Sequence, residues 1–187
     1  VQSHPYQSQQ LQQLESELRA LAERAEKVAE LAGPRLNDRA EATEWSTAEC
    51  LVHLRLSSEA YFDTWTTALA EARQQGLAGT GPFSMDLIGR FLAWSLEPPP
   101  RFKLKAPRPF QPFGVGPIKL VLPNFLESQD RLIEFLRQAD GLALDKVKLA
   151  SPFAKQIKYN IYSSFEVTAA HQRRHLAQAE GVARRLL

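Results

Sequence analysis

With one cysteine, four histidines and no long apolar run among its 187 residues, this chain is marked first by what it does without. A single thiol, Cys50, allows no intramolecular disulfide, and such sparing cysteine use suits a reducing, cytoplasmic compartment. No stretch approaches the roughly 20 apolar residues of a membrane helix, so no membrane partner is expected. The N-terminal VQSHPYQSQQ lacks a basic stretch followed by an apolar one, and no secretory signal is visible. Internal repeats and low-complexity tracts are absent too, which leaves a single domain over 1–187 as the simplest organisation.

What is present is ordinary globular material. The chain is 44% hydrophobic and 24% charged, enough to bury a sizeable core and too apolar for a disordered chain. The net charge is +2, but it is unevenly placed. Residues 1–75 carry 7 basic and 12 acidic side chains, and residues 76–187 carry 16 and 9. The basic half either favours an anionic ligand or partner or is a solvated surface with some asymmetry.

Helical periodicity dominates. Leu11, Leu14, Leu18, Leu21, Ala25, Val28 and Leu31 recur at three- and four-residue spacing, which predicts an amphipathic helix over 9–32, stopped by Gly33-Pro34. Ser46 and Glu49 form an S-x-x-E capping box, opening a helix over 47–74 whose apolar face includes Cys50, Leu54, Tyr61, Trp65 and Leu69. A shorter helix is expected around 84–96 as an insertion. The stretch 97–117 holds seven of the twelve prolines and reads as a long irregular loop pinned by Phe102, Phe110 and Phe113. The next helix starts near Ile118 or Pro123 and stops before Gly141. An irregular connection then leads to a last helix over 160–185. Residues 1–8 are expected to fray. The fold class is therefore all-α, a four-helix bundle with an additional short helix and a long proline-rich loop.

The histidines carry the chemistry. His171 and His175 lie four residues apart on the last helix, on one face with Phe165, Thr168, Gln178 and Val182. Imidazoles so spaced can bind one metal ion through one nitrogen each, although a pair of core or surface histidines explains the spacing too. Gln172 stands where a zincin protease needs its glutamate, so that reading fails. His53 lies on the edge of the buried stripe of the second helix, where a hydrogen-bonded core histidine is the alternative to a ligand. His4 falls in the expected tail.

The stretch Trp45-Ser46-x-x-Glu49-x-x-x-His53-Leu54 resembles the second-helix signature of the DinB-like (damage-inducible) proteins, and His171-x-x-Arg174-His175-x-x-Gln178 resembles their last-helix signature. The likeness covers nearly the whole chain in helix order, with the proline-rich loop less well matched. It implies a three-histidine site for a divalent metal (zinc, nickel or iron) with His53, His171 and His175 as ligands, and a homodimer. It also implies kinship with thiol-dependent enzymes that act with mycothiol or bacillithiol. Gln178 would orient a ligand or hold a water. Glu49 is either the helix cap or a partner that fixes the tautomer of a ligating imidazole. Arg174 either forms a structural ion pair or meets an anionic ligand.

Three neutral imidazoles leave a coordination position open, which marks a catalytic site more than a structural one. A low-molecular-weight thiol or a water activated there would serve a thiol S-transferase or a hydrolase acting on a small-molecule substrate. No general base accompanies the trio. Cys50 reads as a small buried apolar residue, and the sequence does not place Tyr61, Tyr159 or Tyr162 near the metal. A non-catalytic metal- or ligand-binding bundle, acting as a sensor or interaction module, therefore stands beside the enzyme. Nucleic-acid binding through Arg101, Lys103, Lys105 and Arg108 is the weakest reading, because basic residues in a proline-rich loop make no positioned reading element.

Overall fold

The computed structural model describes residues 6–99, 101–102 and 106–187; His4, Lys103 and Lys105 lie outside them. Among the described residues the chain is mostly helical, with five α-helices and one two-stranded sheet. The helices are α1 (Gln9–Ala32), α2 (Thr47–Gln74), α3 (Leu87–Leu96), α4 (Ile118–Ala139) and α5 (Ile161–Arg185). α2 packs against α4 and α5, α1 against α5 and α4, and α3 lies on α5.

α1 keeps the expected bounds but not quite the expected stripe. Leu11, Leu14, Leu18, Leu21, Ala25, Val28 and Ala32 are buried, while Leu31 is 38% exposed. The alternating steps of three and four residues that keep a helix face in register lead to Ala32 and leave Leu31 to one side. The tail expected to fray over 1–8 is held at its inner end. The Gln7 and Ser8 amides donate to the Asp140 carboxylate at 2.7 and 3.0 Å, and buried Ser8 caps α1.

α2 opens with the capping box in full: Ser46 Oγ accepts from the Glu49 amide at 3.1 Å, and the Glu49 carboxylate accepts from the Ser46 amide at 2.7 Å. Every residue from Thr47 to Leu54 is buried, so this end of α2 is enclosed on all sides. Further along, Trp65 stacks on Tyr61 with centroids 4.9 Å apart and donates from Nε1 to Ser164 Oγ at 2.7 Å. α4 and α5 meet in the core through a reciprocal amide pair, Gln129 Nε2 to Gln172 Oε1 at 2.9 Å and Gln172 Nε2 to Gln129 Oε1 at 2.5 Å.

α3 is shorter than expected because Asp86, not Ser84, caps it, accepting from the Gly89 amide at 2.8 Å. Gly89 is required there, since a Cβ would stand 2.3 Å from the Ser163 side chain on α5. α4 begins at Ile118, so Pro123 sits in its second turn instead of its first. The helix forgoes one hydrogen bond there, to the Lys119 carbonyl. Between α3 and α4 the described residues hold one 3-10 turn, Arg108–Phe110.

The all-α expectation needs one correction. The connection after α4 is a hairpin of β1 (Lys148–Ser151) and β2 (Ala154–Asn160), antiparallel, with Leu149 opposite Tyr159 and a register shift between Ala150 and Ser151. Val147, Leu149, Ser151 and Tyr159 are buried, the alternate-residue pattern of a strand with one face inward. β2 runs straight into α5. Asn160 ends the strand and caps the helix, its Oδ1 accepting from the Ser163 amide at 2.7 Å.

Candidate metal centre

The capping box fixes where α2 starts and therefore where His53 points. It is 3% exposed, and its Nδ1 lies 2.6 Å from the Phe110 carbonyl oxygen. A carbonyl only accepts, so Nδ1 carries the proton and neutral His53 presents a bare Nε2. That nitrogen lies 3.1 Å from His171 Nε2 on α5. The His175 ring stands one turn further along α5, its centroid 4.5 Å from that of His53 and 4.6 Å from that of His171. Its Nδ1 meets Gln178 Oε1 at 3.0 Å, a donation that turns its Nε2 the other way. Trp45 closes the site over His53 and His175, with centroid distances of 4.7 and 5.7 Å.

One ligating nitrogen from each of the three histidines lies within 4.8 Å of the others. Nitrogens bound to one ion at about 2.0–2.1 Å lie at most about 4.2 Å apart. The His53–His171 pair already satisfies that limit at 3.1 Å. The electrostatics fit a cation as well. Burial lowers the His53 pKa against the opposing pull of the Phe110 carbonyl. Burial, reinforced by His175, His53 and Arg174, holds His171 well below the usual histidine value. His175 is pushed down to about 3 by burial and by His53 and Arg174, with Gln178 opposing. Neutral imidazoles with two outer nitrogens already hydrogen-bonded are the form in which histidine binds metal. The trio thus fits a metal ion by proximity and charge state, with His53 and His175 in the tautomer that leaves Nε2 bare.

A cavity of about 340 Å³ opens beside the histidines. α2 lines it with His53, Ser57 and Tyr61, one per turn; α5 lines it with Thr168, His171, Arg174 and His175. The hairpin contributes Phe153 and Tyr159, and α3 contributes Leu92 and Ser95. The Tyr61 and Tyr159 hydroxyls meet at 2.5 Å.

The other expected residues divide. Gln178 holds the His175 ring through Nδ1. Glu49 serves the helix start. Both its oxygens are taken, by the Ser46 amide and the Arg39 guanidinium, and it hydrogen-bonds none of the three histidines. Burial would raise its pKa, but Arg39 and the Ser46 amide outweigh burial and lower it. Arg174 forms no ion pair among the described residues, and burial lowers its pKa. Cys50 is buried outside the cavity lining, its thiol pKa raised first by burial and then by Glu49 and Glu44. Tyr162 bonds Glu166 at 2.6 Å and does not line the cavity. Arg101 packs over Trp94 at 4.7 Å, spending its charge on an aromatic face.

Sequence reasoning missed three contributors. Trp45, which the sequence showed only as the first residue of the second-helix signature, walls the histidines. Ser57 was legible as the residue four past His53 and four before Tyr61, a spacing that shares one face. The Phe110 carbonyl was not legible, because a backbone oxygen leaves no residue-type signal.

No helix of the described residues is long and apolar enough to cross a membrane. Comparison with curated proteins and with solved structures returns no match. The sequence model described as the DinB superfamily matches residues 10–179, so the chain belongs to that superfamily.

Proposed function

We propose that this member of the DinB superfamily is a divalent-metal-dependent enzyme in which a thiol or a water attacks a small substrate held in the cavity, a thiol S-transferase or a hydrolase. The observation that carries this reading is the convergence of three neutral imidazoles on the wall of a mostly apolar cavity. His53, His171 and His175 would hold zinc, nickel or iron, and the bound ion would lower the pKa of a water to about 7 or stabilise a thiol as thiolate. Phe110 and Gln178 keep the outer nitrogens of His53 and His175 protonated, so their inner lone pairs stay available. Trp45 and Phe153 exclude solvent beside the histidine cluster, which strengthens every electrostatic contact there. The four long helices are read as the superfamily's bundle frame. A cytoplasmic homodimer is the proposed setting; the exposed apolar side chains Leu87, Ile88, Phe91 and Trp94 along α3 support it.

The test joins metal analysis to an assay. Purified protein should carry or take up one of the three metals in near-stoichiometric amount. It should also conjugate a low-molecular-weight thiol to an electrophile, or hydrolyse an activated ester, with a rate that chelation abolishes. Protein that takes up none of the three metals, or activity untouched by chelation, overturns the metal mechanism. A second reading has its own support: none of the described residues lining the cavity is a carboxylate, the usual general base beside a metal-bound water. Metal uptake with no turnover in either assay would make the protein a ligand-binding sensor or interaction module.

A further inference from the structure

Arg173 and Arg174 are neighbours on α5 with opposite fates. Arg173 pairs with Glu97 and Glu17. Arg174 meets only backbone, donating from Nη1 to the Ser95 carbonyl at 3.3 Å and from Nη2 to the Phe102 carbonyl at 2.6 Å. Two carbonyls hold the fork in place and leave three of its five N–H bonds, and its whole charge, without an anion among the described residues. Yet this guanidinium borders an otherwise mostly apolar cavity, and with the histidines neutral it is the one cation in the described lining. A half-buried charge held in place without a counter-ion is costly to keep unless something supplies one.

A second observation points into the same cavity. The Ser57 hydroxyl is the one buried side-chain polar atom without a hydrogen-bond partner among the described residues, and Ser57 is 3% exposed. Buried hydroxyls are almost always satisfied, and an exception in a cavity wall is what a ligand-binding hydroxyl looks like before its ligand arrives. The same lining includes the apolar side chains Leu92, Phe153 and Val167.

We propose that the cavity binds a small organic acid, its carboxylate on Arg174, its apolar body along the wall, and a second hydrogen-bonding group on Ser57. A single cation matches one carboxylate, whereas a phosphate carries more charge than Arg174 alone offsets. The assignment deepens the proposed function by naming the substrate class and rests on the same site, but Arg174 acts whether or not a metal is bound.

The experiment is calorimetric titration with 4-hydroxyphenylacetate and its neutral amide, on metal-loaded and chelated protein, for the wild type and for Arg174→Gln and Ser57→Ala. The wild type should bind the acid about tenfold or more tighter than the amide, the worth of a charge-assisted pair, in both metal states. Arg174→Gln should lose that preference while binding the amide as before, which also reports an intact fold. Ser57→Ala should weaken both probes several-fold without lowering thermal stability. Equal wild-type affinity for acid and amide overturns the proposal, as does an unchanged preference in Arg174→Gln. A preference that vanishes on chelation overturns it too, because the carboxylate then sits on the metal. Protein that takes up no metal but keeps the preference defeats the metal mechanism alone.

Discussion

The three clustered histidines should make the metal-free protein acid-labile below about pH 6.5. Unfolding exposes each imidazole to water, where it takes up a proton below about pH 6.5. In the folded state His175 resists protonation down to about 3, and His171 and His53 are also shifted downward. Between the two pKa values the unfolded chain binds more protons than the folded one, so stability rises with pH there and is lost as pH falls from about 6.5. For His175 the loss between pH 7.5 and 5.5 is about 1.3 kcal/mol, and the downward shifts of His171 and His53 act in the same direction. The His175 loss alone is a measurable share of the roughly 5–15 kcal/mol by which domains are stable. Urea unfolding in the presence of a chelator, at half-unit steps across this range, measures the effect directly. The slope of stability against pH counts protons, and His175→Gln should reduce it by about one. A free energy that stays flat from pH 7.5 to 5.5 would refute the claim that the cluster is held neutral by burial.

Removing a ligand and removing its orienting partner should differ in degree. His175→Ala should abolish stoichiometric metal uptake, whereas Gln178→Leu should keep it with about 10–100-fold weaker affinity in a competition titration. Glu49→Gln should cost about 1–2 kcal/mol in thermal unfolding, through the cap and the Arg39 pair, and leave metal affinity unchanged; a loss of metal would restore Glu49 to the site. Gln172→Ala should destabilise by about 1–3 kcal/mol, because it leaves Gln129 Oε1 without its donor in the core, with metal affinity retained.

The long helices were legible because their signals are local. The stripe in α1 and the Ser46/Glu49 box each lie within a few residues of what they determine. The pair His171 and His175 was legible for the same reason, as helical spacing alone puts them on one face. His53 needed its flanking motif, since a single buried histidine has no spacing to read. The hairpin was missed because its strands are short and carry no clear run of alternating apolar residues, and because strand pairing is stabilised by neighbours distant in sequence. The roles of Arg174 and Glu49 turned on which partners stood opposite them. Glu49 found Arg39 ten residues away, whereas Arg174 found only carbonyls, and neither outcome is written in the spacing of either residue.

The hydrogen bond from His53 to the Phe110 carbonyl joins the histidine cluster to the segment linking α3 and α4. Arg174, through Phe102, grips the same segment at a second point. An ion bound by the histidines would therefore be reciprocally coupled to the conformation of this segment. Whatever free energy an ion gains from a properly seated Phe110, the seated segment gains from the ion. Sequence changes between residues 97 and 117 that touch no ligand should consequently retune the centre from a distance, giving variation in this stretch a handle on affinity that the ligands themselves do not provide.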